Sequence, residues 1–134
     1  MSGALVGIVL VSHSAAVARS VMDLACAMVA DGPPVPVAAA GGTPDGGLGT
    51  SAELIVAAAR SVDQGAGVAL IADLGSSVLT VKALLVDEEL PPGSRLLDAP
   101  FLEGAVGAVV TAATGAPLDA VASAAGEAYA YRKV

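Results

Sequence analysis

Residues 4–14 read ALVGIVLVSHS, and this stretch decides the fold. Ala4–Val11 is an unbroken apolar run, rich in β-branched side chains and too short for an ordinary helix. Such a run predicts a strand buried on both faces, as in parallel sheets covered by helices on either side. It stops at three polar residues, Ser12, His13 and Ser14. From Ser14 to Ala30, Val17, Val21, Leu24 and Met28 recur at helical spacing, with Arg19 and Asp23 off that stripe. This predicts an amphipathic helix with the stripe turned to the core, ended by Asp31-Gly32-Pro33-Pro34.

The same alternation continues along the chain. Val35–Ala40 is a second short apolar run, followed by Gly41-Gly42-Thr43-Pro44-Asp45-Gly46-Gly47-Leu48-Gly49, with five glycines in nine residues. Thr50-Ser51-Ala52-Glu53 has a capping-box pattern, and Leu54, Ile55, Ala58 and Val62 carry a helix on to the break at Gly65-Ala66-Gly67. Val68–Ala72 is a third buried strand ending at Asp73; Leu74-Gly75-Ser76-Ser77 then leads into a helix with Val78, Val81, Leu84 and Leu85. Pro91-Pro92-Gly93 is a loop, Ser94–Asp98 a short fourth strand, and Leu102–Ala113 and Leu118–Tyr131 are closing helices. The order predicts an α/β fold over residues 1–134 as a single domain: an open, mainly parallel four-stranded sheet with helices on both faces.

Composition narrows the function. Six Lys and Arg against thirteen Asp and Glu leave a formal charge of −7 in 134 residues. That argues against a nucleic-acid binder or a polybasic membrane anchor, both of which need basic surfaces. No apolar run approaches the roughly 18–20 residues of a spanning helix, and residues 1–18 lack the Lys or Arg that opens a signal peptide. Cys26 is the single cysteine, so an intrachain disulfide and a Cys-based zinc cluster are excluded, and a reduced, cytoplasmic setting is the simplest expectation. The core has little aromatic material, with one Phe, two Tyr and no Trp. Small and β-branched side chains must fill it at close distances.

In open parallel sheets, ligands bind beyond the carboxyl ends of the strands. That edge collects Ser12-His13-Ser14, the glycine loop with Thr50 and Ser51, Asp73 with Gly75-Ser76-Ser77, and Asp98. Each has a bland alternative: His13 as an ordinary surface histidine, Asp73 as a residue near a helix cap, the glycine loop as a surface turn. Sharper motifs are missing. The loop has no Gly-Lys-Ser/Thr ending and no Gly-x-Gly-x-x-Gly spacing, there is no Gly-x-Ser-x-Gly elbow, and one histidine without a cysteine pair makes a catalytic metal site improbable. What remains is a histidine, a carboxylate that could orient it, and backbone N–H groups at helix starts that could hold an anion. That set suits a transient phosphohistidine. One neutral imidazole nitrogen attacks phosphorus while a carboxylate holds the proton on the other.

Val11-Ser12-His13-Ser14, Gly41–Ser51 and Asp73-Leu74-Gly75-Ser76-Ser77 together resemble the mannose-type IIA domains of the phosphotransferase system, over essentially the whole chain. Within that family the sequence looks most like the phosphotransferase subunit of phosphoenolpyruvate-dependent dihydroxyacetone kinases. The resemblance implies that His13 accepts a phosphoryl group from a small phosphocarrier (HPr). It would pass the group to ADP held on the nucleotide-binding kinase subunit, for phosphorylation of dihydroxyacetone. It implies that Asp73 orients His13, and that Ser14, Thr43, Gly47, Gly49, Gly75 and Ser76 border the phosphate. No cofactor or metal bound by this chain is implied, and a homodimer is. Sugar-transport relatives usually carry Thr-His-Gly, so Ser12-His13-Ser14 favours the kinase branch over a IIA protein that phosphorylates a IIB domain. Some dihydroxyacetone versions continue into fused carrier domains; the chain's length implies a separate carrier here. A non-enzymatic anion-binding module is the remaining alternative.

Overall fold

The computed structural model describes residues 3–29 and 31–134. Four strands, β1 (Gly7–Ser12), β2 (Val37–Gly41), β3 (Val68–Ala72) and β4 (Ser94–Leu96), form one sheet in the order β2-β1-β3-β4, with every pairing parallel. Among the described residues, five α-helices, α1 (Ala15–Ala27), α2 (Ala52–Val62), α3 (Gly75–Val86), α4 (Phe101–Ala113) and α5 (Leu118–Glu127), alternate with and follow the strands. The expected class, a parallel α/β sheet covered on both faces, is the one observed.

Strand periodicity divides the core into two layers. Ile8, Leu10, Ala69 and Ile71 point to one face and meet α1, α4 and α5 through Ala25, Ala105, Ala108, Val109, Val121 and Ala125. Val9, Val11, Val68, Leu70 and Ala72 point to the other and meet α2 and α3 through Ile55, Ala59, Val62, Val81 and Leu84. Side chains alternate across a strand with period two, so continuous apolar runs are required where both faces are covered. The largest fully buried side chains are Ile, Leu and Val, and alanines supply most of the helix contacts on the α1, α4 and α5 side, which lets those layers approach closely.

The first helix turns differently from its expected orientation. Val17, Leu24 and Met28 are 46%, 43% and 55% exposed, and the fully buried positions are Ala18 and Ala25, with Val21 and Met22 packed beside them. Only a methyl-sized side chain fits where α1 lies against the sheet and α4, so the alanine stripe wins over the larger apolar one.

Element boundaries shift for local reasons. Pairing in β1 begins at Gly7 because its neighbours begin at Val37 and Val68; Leu5 and Val6 are buried ahead of the ladder. β2 begins after Pro36, which has no N–H to contribute and serves only as acceptor for the Ile8 N–H at 2.9 Å. β4 ends at Leu96 rather than Asp98. α1 ends at Ala27; Ala30, the last residue of the expected helix, lies outside the described residues. The closing helix tightens into a 3₁₀ turn at Ala128–Ala130. The cap of α2 is Ser51, whose hydroxyl accepts from Leu54 N–H at 3.2 Å, so Glu53 does not occupy the capping-box position and Thr50 is released for another contact.

Candidate functional site

Strand order reverses at β1: β2 lies on one side, β3 and β4 on the other. Such a switch point opens a crevice between the carboxyl ends of the two strands on either side of it. Register brings the tips of β1 and β3 together, since Val11 pairs with Ala72 and Asp73 N–H donates to Val11 C=O at 3.0 Å. Ser12-His13 and Asp73 therefore meet because the two apolar runs end in step.

Asp73 is saturated with donors. One carboxylate oxygen accepts from Ser12 Oγ at 2.8 Å and from His13 N–H at 3.1 Å; the other lies 3.0 Å from His13 Nδ1 and accepts from its own neighbour Leu74 N–H at 2.6 Å. Burial pushes this carboxyl up, but the hydrogen bonds from Ser12, the His13 and Leu74 backbone and the His13 ring together outweigh it and bring it from 3.8 to about 2. It is ionised at neutral pH and can only accept. In the neutral ring the Nδ1 atom must then carry the proton, which leaves the Nε2 lone pair as the nucleophile. The His13 side chain is 25% exposed and that of Asp73 is 15% exposed, so the carboxylate is the inner partner and the ring the outer one. Asp73 does not cap α3. Its N-cap position is Leu74, with no side-chain cap bond.

The other anticipated residues divide into two groups. Ser76 stands at the reactive atom, with its hydroxyl against His13 Nε2, and Gly75 opens α3 beside it at an uncapped N-terminus. Ser14, Thr43, Gly47 and Gly49 have their polar groups engaged within the protein. Ser14 is the N-cap of α1 and accepts from Val17 N–H at 3.2 Å. Thr43 Oγ1 is bonded to Asp45 and accepts from Gly47 N–H at 3.0 Å, while Thr43 N–H donates to Gly47 C=O at 3.0 Å, closing the loop on itself. Gly49 N–H donates to His13 C=O at 2.9 Å, and Gly42 N–H to Ser12 C=O at 3.1 Å. The glycine loop thus grips the backbone around His13.

Two of these glycines are sterically required. A Cβ at Gly41 would stand 2.5 Å from Ser14 C=O, because the end of β2 lies against the start of α1. Gly42 has φ +70°, and a Cβ there would meet Gly47 C=O at 2.6 Å. Asp98 sits apart from this cluster. It lines a cleft of about 450 Å³ with Lys82, Phe101 and Tyr129, adjoining Asp73 from the β4 side.

Sequence reasoning did not single out Ser77 or Thr50 as site residues. Ser77 is fully buried, its Oγ 3.2 Å from His13 Nδ1 and 2.9 Å from Thr50 Oγ1. The signal was the helical phase: Gly75 and Ser76 are exposed on the first turn of α3, and Ser77 falls on the inward side. Ser12 is likewise buried, held by Asp73 and by Ser14 N–H at 3.1 Å.

Comparison with known proteins identifies the family. Residues 7–122 match the family model of the PTS system fructose IIA component. The phosphoryl donor subunit DhaM of PEP-dependent dihydroxyacetone kinase 2 from Listeria innocua is 32% identical over 119 residues, covering 87% of this chain and 94% of that protein. The DhaM subunit of the Escherichia coli PEP-dependent dihydroxyacetone kinase is 34% identical over 120 residues; the chain spans only 25% of that longer protein. Among solved structures, the crystal structure of the unknown-function protein EF1359 superposes with a TM-score of 0.77 at 28% identity, covering 92% of this chain and 94% of the other. The chain belongs to the PTS IIA component family, and its curated relatives are DhaM phosphoryl donor subunits.

Proposed function

We propose that the chain is a phosphohistidine relay, and the observation that carries this reading is the His13 ring held with Nδ1 on the Asp73 carboxylate and Nε2 outward. The phosphoryl group arrives on the phosphohistidine of an HPr-type carrier. The Nε2 lone pair of His13 attacks phosphorus, the donor P–N bond breaks, and its electron pair returns to the donor imidazole. Nδ1 keeps its proton throughout, so the His13 ring becomes cationic as the Nε2–P bond forms. The Asp73 carboxylate 3.0 Å away offsets that charge. In the second half-reaction a β-phosphate oxygen of ADP, held on the nucleotide-binding kinase subunit, attacks the same phosphorus. The Nε2–P bond breaks, neutral His13 is restored, and ATP forms for phosphorylation of dihydroxyacetone.

A chain of charge −7 repels phosphate unless local donors compensate. The Ser76 hydroxyl and the uncapped N-terminus of α3 at Gly75 are the donors best placed to do so. Ser14, Thr43, Gly47 and Gly49 act in this scheme by shaping the backbone around His13. The chain itself contributes no cofactor or metal to the scheme. No helix among the described residues is long and apolar enough to cross a membrane. The proposed assembly is a homodimer; Val17 and Leu24 of α1, Met28 at its C-cap, and Leu102 and Val110 of α4 offer exposed apolar surface for it.

The family description favours one second reading, a mannose-type sugar-transport IIA protein with the same chemistry and a IIB domain as acceptor. The test uses the chain phosphorylated with phosphoenolpyruvate, enzyme I and HPr. It is mixed with either the ADP-loaded kinase subunit or a IIB domain. Discharge to ADP supports the kinase relay, discharge only to IIB replaces it with the transport reading, and a wild-type chain that takes up no label on His13 rejects both.

A further inference from the structure

We infer that Ser77 and Thr50 form a hydroxyl relay that positions the His13 imidazole, so that the glycine loop acts on the reaction through Thr50. The inference rests on the phosphohistidine reading above.

Hydrogen-bond direction follows from the donors available. The ionised Asp73 carboxylate requires a proton on Nδ1, so Nδ1 has no lone pair to offer. Ser77 Oγ, 3.2 Å from Nδ1, can therefore only accept there, sharing the N–H with Asp73. Its own O–H is left to donate, and the partner within reach is Thr50 Oγ1 at 2.9 Å. The order is Nδ1–H to Ser77, then Ser77 O–H to Thr50. Reversing it would turn the Ser77 proton onto Nδ1, put a bare lone pair against the Asp73 carboxylate, and move the ring proton to Nε2, where it blocks attack. The relay thus supports the reactive tautomer and holds the ring at Nδ1 beside Asp73.

Placement supports the assignment. Ser77 has no solvent exposure and sits in the first turn of α3, while Thr50 immediately precedes the α2 cap Ser51 and forms an isolated parallel bridge with Gly42, just past β2. The pair ties the starts of two helices together across the crevice. The neighbouring Gly49 N–H holds the His13 carbonyl from the same loop. Ring and backbone of His13 are thereby fixed by consecutive residues of one segment. Ser77 is fully buried and Thr50 half-buried, so the Ser77 O–H, shut off from water, depends on Thr50 for its acceptor.

The test is a double-mutant cycle of Ser77→Ala and Thr50→Val, read as the rate at which phosphoramidate, a small donor that needs no docking, labels His13. Losing one shared hydrogen bond to the reacting ring is expected to slow labelling about tenfold in Ser77→Ala. Thr50→Val should slow it about threefold in the wild-type background and not at all in the Ser77→Ala background, because Thr50 acts only through Ser77. Thr50→Ser should restore the wild-type rate, and nitrogen-15 NMR should find more of the Nε2–H tautomer in both slow variants. Ser77→Cys, close in volume but weak in hydrogen bonding, should fold like the wild type and label as slowly as Ser77→Ala. Full-rate labelling in Ser77→Cys, additive effects of the two variants, or an unchanged tautomer would overturn the relay. A wild-type chain unlabelled on His13 would instead overturn the phosphohistidine reading itself.

Discussion

Replacing Asp73 by Asn probes the site at its most connected atom pair. The carboxylate accepts from Ser12 Oγ, His13 N–H, His13 Nδ1–H and Leu74 N–H, and an amide can reproduce only part of that set. With the amide oxygen toward His13 Nδ1, the NH2 group faces the His13 backbone N–H, and two donors meet. With the amide turned over, the NH2 faces Nδ1, and the ring relieves the clash by moving its proton to Nε2, which removes the nucleophile. Both arrangements also lose the negative charge beside a ring that becomes cationic during transfer. Two unit charges 3.0 Å apart interact by about 5 kcal/mol at an effective dielectric of 20. The ring is 25% exposed, so water recovers part of this, and a loss of about 3–4 kcal/mol, or roughly 100- to 1,000-fold in rate, is expected. The assay is single-turnover labelling by phosphoramidate and by phosphorylated HPr, alongside a thermal melt to verify folding. A folded Asp73→Asn protein that labels within threefold of wild type would refute the argument that Asp73 fixes the tautomer and balances the charge.

Acid stability should report the same carboxylate. Asp73 lies below its ordinary value when folded, so its contribution is present above about pH 4 and is lost as the pH falls through about 2. Denaturant titrations across that window should show wild type losing up to about 2 kcal/mol more than Asp73→Asn. Ser76→Ala, which removes the hydroxyl at Nε2, should slow labelling about tenfold with an unchanged melting temperature, since Ser76 is exposed. Gly41→Ala forces a methyl to 2.5 Å from the Ser14 carbonyl, and should cost about 1–3 kcal/mol in a denaturant melt while slowing labelling by displacing the turn that carries His13. Leu24→Glu, on the exposed stripe of α1, should convert the proposed dimer to monomer in sedimentation without altering phosphoramidate labelling.

The layering of the fold was legible because burial on both faces leaves strands no polar positions: residues 8–11 and 68–72 admit no other placement. The strand order was not, since every right-handed parallel crossover satisfies the same pattern. The phase of α1 was misread for a physical reason. Apolar periodicity marks a face by side-chain size, but close packing against the sheet selected the alanines at 18 and 25. At the site, His13 and Asp73 were visible because both end apolar runs on the same edge. Ser77 and Thr50 were visible on that edge but were given no role at the site, since a serine in a helix's first turn and a threonine opening a capping-box pattern look like helix-start chemistry. Their role depends on three elements meeting in space. The glycine loop suggested an anion cradle by composition, yet its N–H groups at 42, 43, 46, 47 and 49 are spent on protein acceptors.

The central claim is that phosphorus bonds to one particular atom. The chain labelled through phosphoenolpyruvate, enzyme I and HPr should carry a single acid-labile, alkali-stable phosphate, and phosphorus–nitrogen NMR should place it on Nε2 of His13. Label on Nδ1, on a serine or threonine oxygen, or retained in His13→Ala would contradict the account.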